Sequence, residues 1–276
     1  MINSFLFWFL LAGTILASLQ DIKRREIDRW LNYTLLVGSV IYLTFNLIFT
    51  KNITILTQGI FTFAIIFLFS NLLYYTNFFA GGDSSLLFAI SALFIGPTIL
   101  TSTLNILSFI ILLIFAGSIY GLIYSIALYI KTAKETNKEI KKLYKTTKTK
   151  YILLVSIPFF ILSFLNIIFL SIAIILVLYP ALFIFAKSLE KTALTKTISG
   201  KELRLGDWIN EDIKVKGNLI KSDFKGINEK DIKLLKNKRK VTIKNGLPFA
   251  PSFTIAIILQ YLFAEKVIST IFLLFM

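Results

Sequence analysis

The sequence predicts an all-α polytopic membrane protein with about eight transmembrane helices, in a range of six to nine, and a small cytoplasmic α+β domain. Of its 276 residues, 56% are hydrophobic and 15% are aromatic, whereas soluble domains contain roughly 45–50% apolar residues. The apolar residues form many runs, several of which approach the roughly 20 residues that a helix needs to cross a bilayer. The excess is too large for the core of one globular domain.

Each long apolar run is interpreted as a span. The first 20 residues lack the basic start of a cleavable signal peptide and are followed by further runs, so they are predicted to be the first span. The run between residues 151 and 187 is too long for one untilted crossing. It forms either a hairpin around Ser163–Asn166 or a long helix kinked at Pro158 and Pro180. The predicted spans are residues 3–20, 30–50, 53–78, 84–104, 106–130, 151–165, 166–187 and 248–275.

Basic residues predict the orientation of these spans. Of the 30 lysines and arginines, all but Lys51 and Lys266 fall in loops that share one side of the membrane. The positive-inside rule assigns that side to the cytoplasm. We therefore attribute the net charge of +15 to topology and contact with membrane lipids, not to binding of nucleic acid. The loops concerned are residues 21–29, 76–83, 131–150 and 187–247.

Changes in composition divide the chain into five parts. The region 188–247 is the only sizeable polar one, and the segments LRLGDWI and VTIKNGLPF within it resemble short strands separated by glycines. A region this small stabilises itself poorly, so we expect it to rest on the helices or on lipid headgroups. The predicted parts are a membrane domain over 1–130, a basic cytoplasmic loop over 131–150, a hairpin or long helix over 151–187, the small domain over 188–247, and a last helix over 248–276.

Two isolated acids are the candidate functional groups. The sequence has no cysteine and no histidine, which excludes thiol nucleophiles, Ser-His-Asp triads and sites built on histidine ligands. Asp21 follows one predicted crossing and Asp83 follows three, so both are expected at the cytoplasmic face. Ionisable groups in such apolar surroundings are functional candidates. The first 130 residues contain only four acids, Asp21, Glu26, Asp28 and Asp83.

Each acid also has a purely structural interpretation. Asp83 follows Gly81 and Gly82 and could be the N-cap of a helix whose first turn contains Ser84 and Ser85. The acids of the segment QDIKRREIDRW, which begins at residue 20, could only balance the basic residues around them. Glycines before an acid also have a functional interpretation, because they let a partner helix or a substrate strand approach the backbone closely.

A close pair of carboxylates can act as general acid and base without a metal or other cofactor. Both members cannot ionise cheaply, so one keeps a proton and the pair can bind a water molecule. The ionised member then takes a proton from the water while the other donates one to a carbonyl oxygen. The sequence thus predicts no cofactor and no metal site.

Two segments resemble the archaeal preflagellin and type IV prepilin peptidases, which are GxGD intramembrane aspartyl proteases. They are ASLQDIKRREIDRW (17–30) and FFAGGDSSLLFAISALF (78–94). The chain departs from the family pattern because Ala80 occupies the first glycine position, and serines replace a lysine often found two residues after the acid. The segments RLGDWINEDI (204–213) and NGLPFAPSF (245–253) resemble archaeal members more loosely.

The resemblance implies that Asp21 and Asp83 are the catalytic pair and that Gly81 and Gly82 belong to the active-site loop. It implies cleavage of archaellin or type IV pilin-like precursors between a basic leader and an apolar helix, at the cytoplasmic face. The acids available for a basic leader are Glu26, Asp28, Asp207, Glu211 and Asp212.

Three other interpretations remain open from the sequence. The same acids could serve as relay groups in a proton-coupled membrane transporter. The chain could instead be a noncatalytic homologue that assembles pilins, for which Ala80 is the argument. A Ser-Lys protease using Ser84 or Ser85 is disfavoured, because no lysine lies near them in the sequence.

Overall fold

The computed structural model of the protein describes residues 4–146, 149–215, 217–222, 226–238 and 240–275. Residues 147 and 148 of the predicted basic loop lie outside these ranges, as do residues 216, 223–225 and 239 of the predicted small domain. The helices of the described residues are α1 (Ser4–Arg24), α2 (Arg29–Thr50), α3 (Ile53–Tyr75), α4 (Gly81–Ala89), α5 (Ile99–Thr146), α6 (Thr149–Leu162), α7 (Ile167–Thr192), α8 (Glu229–Leu235) and α9 (Ala250–Phe275).

The structure confirms a polytopic, predominantly helical membrane protein. In the described part of the chain, six helices are long and apolar enough to cross a membrane, namely α1, α2, α3, α5, α7 and α9. Large apolar side chains on these helices face outward, and Trp8, Phe45 and Phe67 are each more than half exposed. Lipid is the medium in which such a surface is stable. The number of spans is at the lower end of the predicted range.

The predicted span over residues 84–104 is wrong. Its place is taken by α4, which has nine residues and is about 14 Å long at 1.5 Å per residue, under half of the roughly 30 Å hydrocarbon core. A 3₁₀ turn over Ser91–Phe94 follows. Pro97 then ends helical structure, since proline lacks an N–H and disfavours helix at the preceding residue. Thr98 starts the next helix by accepting the Thr101 N–H at 3.1 Å.

The helix α5 contains much of the segment that the sequence predicts to be a basic loop. It has 48 residues and includes 131–146, with one distortion at Thr132 (φ −122°, ψ 21°). The basic segment is therefore helical over these residues. Lysine and glutamate are good helix formers, so this segment can continue a helix although it is too polar for the membrane core. The hydroxyl of Thr132 donates to the Leu128 carbonyl at 3.0 Å.

The long apolar run after residue 150 forms a helical hairpin. The chain turns between the end of α6 at Leu162 and the start of α7 at Ile167. Asn166 caps α7, and its side chain accepts the Ile168 N–H at 2.9 Å. Pro158 and Pro180 lie inside the two helices. With 14 residues, α6 is shorter than the roughly 20 residues of a standard crossing.

The chain forms two compact units. The first unit contains residues up to Leu122 and from Leu247 onward. In it, α1 and α9 pack antiparallel: the hydroxyls of Ser18 and Thr254 are 2.8 Å apart, and the rings of Phe7 and Tyr261 stack with centroids 4.3 Å apart. The short α4 is buried in the same apolar core, which includes Leu86, Leu87 and Ile90.

The second unit contains residues 123–246 and includes all five strands of the described residues. The strands are β1 (Thr195–Ile198), β2 (Trp208–Ile209), β3 (Ile213–Val215), β4 (Asn218–Ile220) and β5 (Val241–Lys244). The first sheet is antiparallel with the order β1-β5-β2, and β3 pairs with β4 as a hairpin. Strand β5 covers the start of VTIKNGLPF, whereas residues 245–249 of that segment are not a strand.

Polar contacts join the strands and helices of the second unit. The ammonium of Lys244 on β5 is 2.7 Å from the Glu190 carboxylate on α7, and the ammonium of Lys191 is 2.9 Å from Glu139 on α5. The core below the sheet is small and consists of aliphatic side chains such as Leu235 and Val241. The strands therefore share one unit with the helices around them, as their small size requires.

Gly200 provides a test of packing in the second unit. A Cβ at this position would lie 2.0 Å from the Leu235 carbonyl oxygen, a backbone atom that cannot rotate away. We expect Gly200→Ala to lower the free energy of unfolding by about 1–3 kcal/mol, measured by thermal unfolding of the full-length protein in detergent. Gly246→Ala is the control, because its Cβ would meet nothing within 4 Å. Equal stability of the two variants would contradict this packing.

Candidate active site

Asp21 lies in the last turn of α1 and is buried, with 7% of its surface exposed. Its carboxylate interacts with more than the basic residues that follow it. The Oδ2 atom accepts the backbone N–H of Ala250, the first residue of α9, at 2.9 Å. Phe249 supplies a second backbone hydrogen bond, and Arg25 supplies a nearby positive charge. The acid is thus held at the N-terminus of a helix that is distant in sequence.

The acid that balances the basic loop is Asp28. Its Oδ2 atom lies 2.6 Å from the Arg24 guanidinium and accepts the Trp30 indole N–H at 3.1 Å. The Asp28 backbone N–H donates to the Gln20 side chain at 2.9 Å. The interpretation that an acid of the QDIKRREIDRW segment only balances neighbouring basic residues therefore applies to Asp28, and not to Asp21.

Asp83 lies in the first turn of α4. The N-cap of this helix is Ala80 (φ −68°, ψ 160°), and Asp83 is the third helical residue. The interpretation of Asp83 as the N-cap is therefore wrong. Its carboxylate instead accepts the backbone N–H of Ala80, as the acid of a capping box does. Because Ala80 has a backbone conformation open to any residue, the departure from glycine at this position causes no strain.

Gly81 and Gly82, which the sequence assigns to a loop, are the first two residues of α4, directly before Asp83, and both are at least partly exposed. A Cβ on Gly82 would lie 3.5 Å from Ile27, and one on Gly81 would lie 3.6 Å from the Tyr74 ring. Both are ordinary van der Waals distances. The carbonyl of Gly82 accepts the Asn32 side-chain amide at 3.4 Å. Packing inside the protein therefore does not require glycine at either position.

Aromatic packing brings the two acidic segments to the same end of the first unit. Phe79, four residues before Asp83, packs on Phe249 and Phe253 at centroid distances of 5.3 Å and 5.8 Å. Phe249 directly precedes the helix that binds Asp21. Desolvation raises the pKa of Asp83 to about 7, and the negative charge of Asp21 adds to this effect. The two carboxylates are therefore electrostatically coupled.

The structure adds groups that the sequence did not indicate. The Oδ1 atom of Asn32 and the Oγ atom of Ser84 are buried and have no hydrogen-bond partner among the described residues. Asn32 contacts Gly82, and Ser84 follows Asp83. Such orphan acceptors can bind a water molecule or a peptide N–H. Ser85, in contrast, donates to the Gly81 carbonyl at 2.8 Å.

Comparison with known proteins gave one match. Residues 8–126 match the model of the type IV leader peptidase family. The matched stretch includes both acids, both glycines and Asn32, and it ends before α9. No curated protein and no solved structure matches the chain significantly.

The raised pKa of Asp83 predicts a pH-dependent stability. The ordinary value is 3.8 and the folded value is about 7, so the folded protein holds this proton more tightly than the unfolded chain. Wild-type stability should fall, relative to Asp83→Asn, as pH rises from about 4 to about 7, and the difference should stay constant above that. Thermal unfolding of both proteins across this pH range measures the difference in stability.

Asp28→Asn is the control for this titration. The Arg24 side chain holds the pKa of Asp28 below its ordinary value, so this variant should not gain stability between pH 4 and 7. A flat difference between wild type and Asp83→Asn over the same range would contradict the coupling.

Proposed function

We propose that the protein is a membrane aspartyl endopeptidase that removes leaders from archaellin or type IV pilin-like precursors, since residues 8–126 match the model of the type IV leader peptidase family. Asp21 and Asp83 are its catalytic residues, and Gly81 and Gly82 form the active-site loop. The observation that carries the proposal is geometric: Asp21 is buried against the start of α9, and Phe79 packs on Phe249 at that same helix start, four residues before Asp83. A pair that shares one proton has the chemistry needed for peptide hydrolysis.

The reaction needs only the two carboxylates and water. The ionised carboxylate takes a proton from the water molecule as its oxygen attacks the scissile carbonyl carbon, and the protonated carboxyl gives its proton to the carbonyl oxygen. When the tetrahedral intermediate collapses, the C–N bond breaks and the leaving nitrogen receives a proton. Asp83 is partly exposed, so water and substrate can reach the pair.

The Gly81–Gly82 pair at the start of α4 is the proposed contact with the substrate backbone. Neither Gly81 nor Gly82 is needed for packing within the protein, since a Cβ fits at both positions. Glycine lets another strand come closer than any other residue allows. The orphan Oδ1 atom of Asn32, whose amide touches Gly82, can accept an N–H from a peptide held there.

The proposed location of cleavage is the cytoplasmic face. The last turn of α1 carries Lys23 and Arg24, and Arg25 follows the helix; segments rich in basic residues remain on the cytoplasmic side. Asp21 lies just before these residues. Precursors with an apolar helix after the leader can enter from the lipid and present the junction at this level.

The first test is cleavage of a precursor by the purified full-length protein in detergent. We expect Asp21→Asn and Asp83→Asn each to lose about 10²–10⁴-fold in kcat/KM, because each removes one partner of the acid–base pair. Asp28→Asn should cleave at nearly the wild-type rate, since Asp28 is engaged with Arg24. Folding of each variant is verified by size-exclusion chromatography. If either folded variant retains its activity, Asp21 and Asp83 are not the catalytic pair. Solute flux into proteoliposomes without cleavage would favour the transporter.

The second test separates substrate approach from folding. Gly82→Ala should leave thermal stability unchanged, because its Cβ would make only ordinary contacts, but should lower kcat/KM by about 10-fold or more through misplacement of the substrate. Gly121→Ala is the control, because nothing lies within 4 Å of its Cβ, and both properties should stay at wild-type values. Full activity in Gly82→Ala would show that the substrate does not approach this glycine.

A further inference from the structure

The start of α9 is linked directly to one of the two acids. The first N–H groups of any helix lack partners within the helix, and that of Ala250 donates to Oδ2 of Asp21 at 2.9 Å. The bond is buried, and a second backbone hydrogen bond comes from Phe249. Two donors from one helix start therefore converge on a single carboxylate.

Packing on both sides keeps this helix start in place. Ser18 lies one turn before Asp21 on α1, and Thr254 lies one turn into α9. Their hydroxyl oxygens are 2.8 Å apart. Phe249 packs against Phe79, which lies four residues before Asp83. A Cβ on Gly117 of α5 would lie only 3.0 Å from the Phe249 ring. The donor groups are thus fixed relative to both acidic segments.

We propose that the N-terminus of α9 is part of the catalytic centre, where Ala250 and Phe249 hold Asp21 ionised as the general base and leave the shared proton on Asp83. This inference rests on the proposed peptidase function and adds the division of roles. Ala250 and Phe249 are positioning residues, because they act through Asp21. The family match ends at residue 126, so neither residue is part of it.

The surroundings of Asp21 favour its ionised form more than the surroundings of Asp83 do. Burial disfavours the ionised form of both acids. At Asp21 the N–H donors and the positive end of the helix dipole oppose this effect, and Arg25 adds a positive charge nearby. Asp83 accepts one backbone N–H, from Ala80, and faces the negative charge of Asp21. Among the described residues, α9 brings no charged side chain to the pair, because its first is Glu265, four turns further on.

The division of roles determines the path of the protons. Asp21 takes the proton of the attacking water, and Asp83 protonates the carbonyl oxygen as the new C–O bond forms. On collapse, the proton held by Asp21 goes to the leaving amine nitrogen, and the hydroxyl of the intermediate returns its proton to Asp83. The C–N bond breaks, and both acids regain their starting states.

The test removes a single hydrogen atom from the backbone. Lactic acid incorporated in place of Ala250 turns the amide N–H into an ester oxygen and keeps the methyl side chain. Because the ionised form of Asp21 loses a donor, we expect the acidic limb of the kcat/KM–pH profile to move upward by about one pH unit. At pH values below that limb, kcat/KM should fall about tenfold, with recovery as the pH rises.

The matched control is lactic acid in place of Ala256. This alanine is also fully buried on α9, and its N–H belongs to the interior of the same helix, away from Asp21. The control ester should leave the pH profile in its wild-type position. If the Ala250 ester fails to fold, Ala250→Pro replaces it, since proline also lacks the N–H and is tolerated at the first helical position. Ala250→Ser, which keeps the N–H, is then the comparison.

The outcomes separate this inference from the function on which it rests. An upward shift with the Ala250 ester alone supports the assignment of Asp21 as the base. A profile that does not move, or moves equally with the Ala256 ester, overturns it and leaves the peptidase function intact. A wild-type protein that cleaves no precursor overturns both.

Discussion

The burial of one carboxylate at the end of a membrane helix is the constraint on which the first unit depends. A buried carboxylate destabilises the fold unless hydrogen bonds replace its hydration. For Asp21, the replacement comes from the start of α9, more than 200 residues later in the chain. This contact requires α9 to begin beside the last turn of α1. The contacts Ser18–Thr254 and Phe7–Tyr261 show that α9 then runs antiparallel to α1.

The second acid depends on a helix that is too short to cross the membrane. Because α4 has only nine residues and is followed by a 3₁₀ turn, it packs inside the apolar core and does not form a wall of the bundle. Its N-terminus holds Asp83 through the Ala80 N–H. Phe79 then connects this segment to Phe249 at the start of α9. One short helix and one helix start therefore position the acid pair.

The remaining buried polar groups follow the same physical rule. Some buried polar side chains in the apolar core are paired across helices, as Ser108 is with Gln260 at 3.1 Å. Others have an atom without a partner among the described residues, and Asn32 and Ser84 are the two of these that lie beside the segment of Asp83. A group left without a partner inside a membrane bundle costs free energy, and the proposed binding of water and a peptide backbone would offset that cost.

The sequence by itself determined the membrane class and drew attention to two isolated acids, because apolar run length and isolated charge are local properties. It overestimated the crossings where Gly96 and Pro97 break an apolar run, and it did not show that the Lys-rich segment continues α5 as a helix. Only the tertiary structure decided that Ala250 holds Asp21, that Asp28 balances the basic loop, and that Ala80 fits at its position. These are contacts between distant segments or backbone angles, which depend on how the helices pack and which no local pattern encodes.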